Sequence, residues 1–577
     1  MSRAMMAQKQ RALAQTALDN PQHRFTNLYS LLHWRPWIEC AAATVMTRPG
    51  SSTAGVDGTT RFDFLANYEA TITALVEDLK RKTYEPQPVR RVHIPKSNGK
   101  KRPLGIPVLR DRIVQEALRM ALDPIYESDF QPHSYGFRKG RCTMDAAAVL
   151  MPMFNERAKH FYVIEGDLKS YFDTVHHRKL LSILKRRIAD RDIITLIWKF
   201  LKAGVMEDGL FARTDSGVPQ GGVISPLLAN VYLNEFDKWA EARWNVNLSE
   251  RQKNRYHGGG NYKMVRYADD FVIVSNDTKA GVEATKREVQ QYLETELRLT
   301  LSPEKTVITH VNDGFDFLGF SFQRSQNGTK GVTHLRPAEK GKDRIKDKIK
   351  ALTTRGWTWL SEYQRLTTLN AIMRGWAEYY RHTSLLSDIE EVSRYTWHRY
   401  LLWLRAKHKG SRKGQLIAEK TRTIKGRTRW TASITEGGNT LAVYQWQPTR
   451  SEYKRTRYYQ KGRDGFGHPY LTDAAEREDY PQGETGPPER IYTDAIGARS
   501  TRKSRREPLD MRERMLRAKL RDDFTCQRCG ATENVRAHHL EGVGRHGVKR
   551  LITLCEPCHK AEHGFGQLRF ADQRGTD

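Results

Sequence analysis

Two carboxylates stand side by side in Tyr267-Ala268-Asp269-Asp270, between the apolar runs Met264-Val265 and Phe271-Val272-Ile273-Val274. Both runs are short and β-rich, which predicts a tight hairpin that exposes the two aspartates at its turn instead of burying them. Far upstream, Phe161-Tyr162-Val163-Ile164 runs into Glu165-Gly166-Asp167, a second strand that ends in a carboxylate. Three carboxylates on two strand ends can share hard cations, since Mg²⁺ takes one or two carboxylates together with substrate phosphates and waters. Two such ions would activate a 3′-hydroxyl and stabilise departing pyrophosphate in an in-line displacement, which is nucleotidyl transfer. An isolated Asp pair is more often a solvated turn, so the inference depends on its neighbours.

A second cluster lies far along the chain. Cys526-Gln527-Arg528-Cys529 and Cys555-Glu556-Pro557-Cys558 are two C-x-x-C pairs, with Cys529 and Cys555 26 positions apart, and four thiolates suit a closed tetrahedral Zn²⁺ site. For so small a unit, zinc would substitute for a large core. A disulfide framework fits poorly, because the N-terminal stretch is polar with no visible secretory signal and no long apolar run suggests a membrane span. Cys40 and Cys142 sit in apolar surroundings and are expected to be buried and reduced. Between the thiol pairs lies His538-His539; beyond them come His559 and His563, spaced to share one face of a helix.

The blocks around the aspartates resemble the ordered motifs of reverse transcriptases. Asp167 with Phe172 resembles motif A, and Tyr267-Ala268-Asp269-Asp270 resembles motif C. Gly217-Val218-Pro219-Gln220-Gly221-Gly222-Val223-Ile224-Ser225-Pro226 resembles motif B, a glycine-rich turn opening a helix. Leu299-Thr300-Leu301-Ser302-Pro303-Glu304-Lys305-Thr306 resembles motif D, and Phe317-Leu318-Gly319-Phe320 the primer grip. His93-Ile94-Pro95-Lys96, Lys101-Arg102-Pro103-Leu104-Gly105-Ile106-Pro107 and Asp111-Arg112-Ile113-Val114-Gln115 match the fingers. The resemblance implies that Asp167, Asp269 and Asp270 are catalytic and hold Mg²⁺, and that Lys96, Arg102, Phe172, Gln220 and Lys305 face the nucleotide. Lys96 and Arg102 would meet the triphosphate, and Lys305 would protonate pyrophosphate. Phe172 would gate the ribose 2′-hydroxyl, a role compatible with packing in a core. Five collinear blocks outweigh the solvated-turn reading of the Asp pair.

Composition agrees. The chain has 577 residues, 97 Lys+Arg against 67 Asp+Glu and a formal net charge of +30, which points to a polyanion partner and to several domains. Residues 401–470 hold 16 Lys+Arg and 4 Asp+Glu, interleaved with Trp403, Trp430, Tyr444, Trp446, Tyr453, Tyr458 and Tyr459. Cations bind phosphates and aromatic faces stack on unpaired bases. Leu366, Leu369, Met373, Trp376 and Tyr380 recur at three- and four-residue steps, one side of an amphipathic helix in which Trp376 packs. The stretch from Leu369 to Tyr380 resembles the signature of domain X, the maturase and thumb region of group II intron-encoded proteins. Arg374, Trp403 and Arg405 are the candidate RNA contacts. From Leu471 to Glu489 the sequence turns acidic and Pro/Gly-bearing, as in a linker. Arg502-Lys503-Ser504-Arg505-Arg506 and an expected helix from Asp510 to Leu520 are basic again, matching the family's DNA-binding region in position only.

The C-terminal histidines are similar to those of the ββα-metal fold of HNH nucleases. That resemblance makes His539 the general base and His538, His559 and His563 ligands of a catalytic divalent ion, Mg²⁺ or another. It departs at Arg550, where the family places an Asn that orients the base; a tolerated substitution and a weakened nuclease both remain open. The expected architecture is multidomain α+β: reverse transcriptase fingers and palm (1–335), an α-helical thumb with maturase domain X (336–470), a linker and basic DNA-binding region (471–520), and a small zinc-containing HNH domain (521–577). The expected function is an RNA-directed DNA polymerase and maturase that binds its group II intron RNA and assists its splicing. It would drive intron mobility by nicking double-stranded target DNA and by target-primed reverse transcription with dNTPs. The alternative, an RNA-binding splicing cofactor with little polymerase or nuclease activity, would be favoured by a lost aspartate or a disrupted motif B, and neither is seen. No membrane partner is expected, monomer and dimer are both open, and the resemblance implies a bacterial cytoplasm with an organellar host also open.

Overall fold

The computed structural model describes residues 2–95, 99, 101–155, 158–207, 210–212, 216–218, 221–327, 330–380, 383, 387–424, 427–433, 440–442, 467–471, 535–539 and 551–555. Lys96, Gln220, Cys526, Cys529, Arg550, Cys558, His559 and His563 lie outside them, as do the expected linker beyond Leu471 and the basic region before residue 521.

In chain order the strands are β1 (Val89–Pro95), β2 (Lys101–Ile106), β3 (Tyr162–Asp167), β4 (Val205–Glu207), β5 (Leu210–Ala212), β6 (Tyr262–Tyr267), β7 (Asp270–Ser275), β8 (Val307–His310), β9 (Phe315–Phe317), β10 (Phe320–Asn327), β11 (Lys330–Pro337), β12 (Thr421–Ile424), β13 (Arg427–Ser433), β14 (Thr440–Ala442), β15 (Val535–His539) and β16 (Leu551–Cys555). Among the described residues they form five sheets, ordered β2-β1-β4-β5, β6-β7-β3-β8, β11-β10-β9, β12-β13-β14 and β15-β16.

The β6-β7-β3-β8 sheet is antiparallel throughout. Phe271, Val272, Ile273 and Val274 of β7 are all buried, so β7 is covered on both faces and reads as a continuous apolar run instead of an alternation. Phe236 of the helix Ser225–Trp244 meets Phe271 edge-on at 5.2 Å, and Tyr232 of the same helix donates to Leu297 O at 2.6 Å, at the end of the helix Lys279–Leu297. Gly166 is required in β3, because a Cβ there would lie 2.1 Å from the Phe271 ring. The helices Arg35–Thr47, Tyr68–Lys80 and Leu109–Asp129 complete this core through Trp37, Ile38, Leu75, Ile113 and Leu118.

The chain divides into two compact units: residues 1–346, 379–394 and 447–485, and residues 347–378, 395–446 and 486–577. In the first, Asp388 accepts from Arg336 at 2.7 Å and from Lys342 at 3.1 Å. In the second, Leu366, Leu369, Met373 and Trp376 of the helix Glu362–Tyr379 are buried as the amphipathic spacing predicts. Trp403 and Trp430 correct an expectation. Both are wholly buried, Trp403 stacking on Tyr400 at 5.5 Å and Trp430 lying 4.8 Å from Trp397. A ring enclosed by protein offers no face to a base, so Trp403 is a packing residue and not an RNA contact.

Candidate functional site

The β6-β7 register pairs Tyr267 with Asp270, leaving Ala268-Asp269 as a two-residue turn. Ala268 has φ +58, the sign that a II′ hairpin requires at its first turn position and that glycine ordinarily supplies. The surroundings enforce it. Gly136 packs so closely that a Cβ there would lie 2.3 Å from Ala268 N. The wholly buried Arg266 donates to Ala268 O at 2.7 Å, Asn230 Oδ1 at 3.1 Å, Ser134 Oγ at 2.7 Å and Asp237 Oδ1 at 2.7 Å, and also bonds Asp237 Oδ2. Asn230 and Asp237 stand on the helix Ser225–Trp244, and Asn230 Nδ2 donates to Gly136 O at 2.8 Å. A planar fork with several fixed donors suits this post. Sequence reasoning passed over Arg266, Asp237, Asn230, Ser134 and Gly136; the available signal was a guanidinium directly following the apolar Met264-Val265 in β6.

Across the sheet Asp167 is the register partner of Asp270, with Asp269 on the adjoining turn. Solvent reaches Asp270, and Asp269 is half-buried, so the expected exposure holds in part. Protein nevertheless crowds Asp270 on most sides, and this desolvation, with the charges of Asp269 and Asp167, pushes its carboxyl up to about 7. Asp269 is raised too, chiefly by desolvation and then by Asp167, while Arg102 and Lys305 oppose the rise. Arg102 is exposed on β2, paired with Ile94 of β1.

Lys305 Nζ donates to Asp167 Oδ2 at 2.9 Å, and this bond raises the ammonium pKa. The backbone sets that contact, because Ser302 N donates to Asp167 O at 2.8 Å and Lys169 N to Thr300 O at 2.9 Å. Among the described residues no three His, Cys, Asp or Glu side chains form a closed ligand set. The donor chemistry still fits a hard divalent cation, which would relieve the repulsion that raises Asp269 and Asp270.

The glycine-rich loop is bound to the segment after Asp167. Val218 N donates to Phe172 O at 2.6 Å, Gly217 N to Val175 O at 2.9 Å, and the buried His177 from Nε2 to Gly217 O at 2.6 Å. Val223 N donates to Gln115 Oε1 at 2.7 Å, which ties the loop to the helix Leu109–Asp129. A Cβ on Gly221 would lie 2.4 Å from Gly105 O of β2, so the glycine admits the β2 backbone. Phe172 is partly buried and packs on the core. Arg374 is half-buried on the helix Glu362–Tyr379 and Arg405 is exposed on the helix Ser387–Lys407. His538 and His539 end β15, whose partner β16 ends in Cys555; the register pairs His539 with Leu551 and Val535 with Cys555.

A family model described as reverse transcriptase (RNA-dependent DNA polymerase) matches residues 94–322, and one described as the group II intron maturase-specific domain matches residues 342–421. Fold and site therefore define a reverse transcriptase carrying a maturase domain. Protein YkfC of Escherichia coli (strain K12) is 43% identical over 359 residues, covering 59% of this chain and 94% of that protein. Group II intron-encoded protein LtrA of Lactococcus lactis subsp. cremoris is 31% identical over 471 residues, 69% of this chain and 78% of LtrA. An uncharacterized 91 kDa protein in the cob intron of Schizosaccharomyces pombe is 31% identical over 369 residues, 54% of this chain and 45% of that protein. The chain belongs to the group II intron-encoded reverse transcriptase/maturase family. Among the described residues no helix is long and apolar enough to cross a membrane.

Proposed function

We propose that this chain copies its own group II intron RNA into DNA at a nicked target site and assists the splicing of that RNA. The observation that carries the polymerase chemistry is the pairing of Asp167 with Asp270 across the sheet, with Asp269 on the intervening turn. Mg²⁺ bound there would lower the pKa of a primer 3′-hydroxyl and neutralise charge on the triphosphate. Asp167, Asp269 and Asp270 would hold it. The primer 3′-oxygen attacks the α-phosphorus, the bond to pyrophosphate breaks, and the hydroxyl proton passes to water. Lys305, already at the carboxylates, gives a proton to the leaving pyrophosphate. Arg102 and Lys96 bind the triphosphate, and Gln220 and Phe172 line the nucleotide, with Phe172 excluding the 2′-hydroxyl.

Sheets β2-β1-β4-β5 and β6-β7-β3-β8 serve as fingers and palm within residues 1–335, and residues 336–470 as thumb and domain X, where Arg374 and Arg405 contact intron RNA. Residues 471–520 link to and bind DNA. Residues 521–577 form an HNH nuclease in which Cys526, Cys529, Cys555 and Cys558 hold structural Zn²⁺, His538, His559 and His563 hold a divalent ion, and His539 is the general base. The antiparallel pairing of β15 with β16 is compatible with this reading: the strand that ends in His538-His539 pairs with the strand that ends in Cys555, the histidines at one end of the ladder and the cysteine at the other.

Primer extension on an RNA template with Mg²⁺ and dNTPs tests the polymerase. The Asp269→Ala/Asp270→Ala protein should lose several kcal/mol of transition-state stabilisation, a drop of about a thousandfold or more, while still binding intron RNA. Equal extension by variant and wild type would refute the assignment.

A further inference from the structure

Phe317 and Phe320 are register partners at the closed end of the β9-β10 hairpin, so Leu318 and Gly319 form its two-residue turn. Both are left-handed, with φ +53 and +80. This is the I′ pattern, which favours Asn-Gly and disfavours a branched apolar residue in the first position. Such a residue persists only where its surroundings hold it.

The hold comes from two adjacent tyrosines. Tyr379 Oη donates to Leu318 O at 2.7 Å, and Tyr380 Oη donates to Gly319 O at 3.1 Å, where Ala338 N also donates at 2.9 Å. Both rings pack on Phe320 with centroids 5.3 Å away, Tyr379 stacked at 11° and Tyr380 edge-on at 75°. Tyr380 is buried, and its hydroxyl is so close to Gly341 that a Cβ there would lie 2.5 Å from it. Each carbonyl of the turn thus has a tyrosine hydroxyl aimed at it. Both tyrosines fall inside the stretch matched by the maturase-specific model, whereas the turn falls inside the polymerase match.

We infer that Tyr379 and Tyr380 are positioning residues for the primer terminus, their hydroxyls holding the Leu318-Gly319 turn in the left-handed shape in which it meets the primer strand. The inference rests on the polymerase reading above, in which Phe317-Leu318-Gly319-Phe320 grips the primer. It gives two residues of the maturase-specific segment a part in DNA synthesis, separate from any contact with intron RNA.

The test is steady-state extension by the full chain on an RNA template with a DNA primer, comparing wild type, Tyr379→Phe/Tyr380→Phe, and that double variant carrying Leu318→Asn. The double variant keeps both rings and loses both hydroxyls. The expected result is about a tenfold rise in the KM for primer–template, with the KM for dNTP within about twofold of wild type. Leu318→Asn supplies the residue an I′ turn prefers and should recover most of the loss, which a merely structural role for the tyrosines would not allow. A wild-type primer KM in the double variant, or a loss that Leu318→Asn leaves untouched, would overturn the inference. Failure of wild type itself to extend primers would instead remove the polymerase reading, and this inference with it.

Discussion

At the scale of single residues the site depends on a charge that never meets substrate. Arg266 and Asp237 are both wholly buried and paired through two bonds. Removing one partner of such a pair leaves a buried charge without compensation, at about 3–5 kcal/mol. Asp237→Asn keeps the shape and removes the charge, so it should destabilise the protein by about 3 kcal/mol in urea unfolding and lower extension more than RNA binding. The latter follows because Arg266 also holds the carbonyl of Ala268 in the turn that carries Asp269. His160 carries a pH dependence of its own. Burial pushes its imidazole down to about 4, with Lys263 adding to the effect. The unfolded chain, near 6.5, then binds more protons than the folded one, so stability falls as the pH drops from 6.5 toward 4. The loss is on the order of 3 kcal/mol at the acid end. Asp111 works in the opposite sense over part of this range, because burial raises its carboxyl to about 6. Urea midpoints from pH 7 to pH 5, compared with those of His160→Leu, isolate the histidine: wild type should lose stability more steeply than the variant, and parallel curves would contradict the assignment.

At the scale of elements, Gly217 and Val218 of the glycine-rich loop bond to the stretch following Asp167, so that part of the loop and the stretch form one body. His177→Ala would leave Gly217 O without its donor, a deficit of about 1–3 kcal/mol for a buried acceptor. The expected outcome is about a tenfold higher KM for dNTP with a smaller change in kcat, read from extension at varied dNTP. An unchanged KM would mean that the loop keeps its shape without the tether. The sequence made the hairpin itself legible, because Met264-Val265 and Phe271-Val272-Ile273-Val274 carry a strand's residue types on either side of a turn. It did not disclose how the turn is held. Asn230 and Ser134 are ordinary polar residues until the fold places them around Arg266, and no local period signals that convergence. Trp403 failed for the opposite reason. A basic, aromatic stretch reads as a nucleic-acid surface by composition, yet composition does not say which side of a helix faces the core, and Trp403, Leu404 and Tyr400 share the buried side while Arg405 faces solvent.

At the scale of the whole molecule, the described residues to which polymerase roles are proposed all belong to one compact unit, from Arg102 through Lys305 to Tyr380. The chain rejoins that unit late. Tyr470 is buried with Oη on Asp123 at 2.5 Å and Lys139 3.9 Å above its ring, and Arg11 donates to Leu471 O at 3.0 Å. A stretch that the sequence marks only as the threshold of a linker thus anchors the unit before the cysteine-rich segment begins. The anchoring argues that DNA synthesis is separable from the proposed second-strand nicking. A zinc-selective chelator, or Cys526→Ser with Cys529→Ser, should abolish nicking of double-stranded target DNA and leave Mg²⁺-dependent extension within about twofold of wild type, because zinc would stabilise only the C-terminal segment that carries the cysteines. His539→Ala should lose nicking equally while retaining its zinc, which would separate the proposed general base from the proposed structural metal. If extension fell in step with zinc content, the polymerase would depend on the C-terminal segment for its own stability, and the division of labour drawn from the Tyr470 anchor would have to be abandoned.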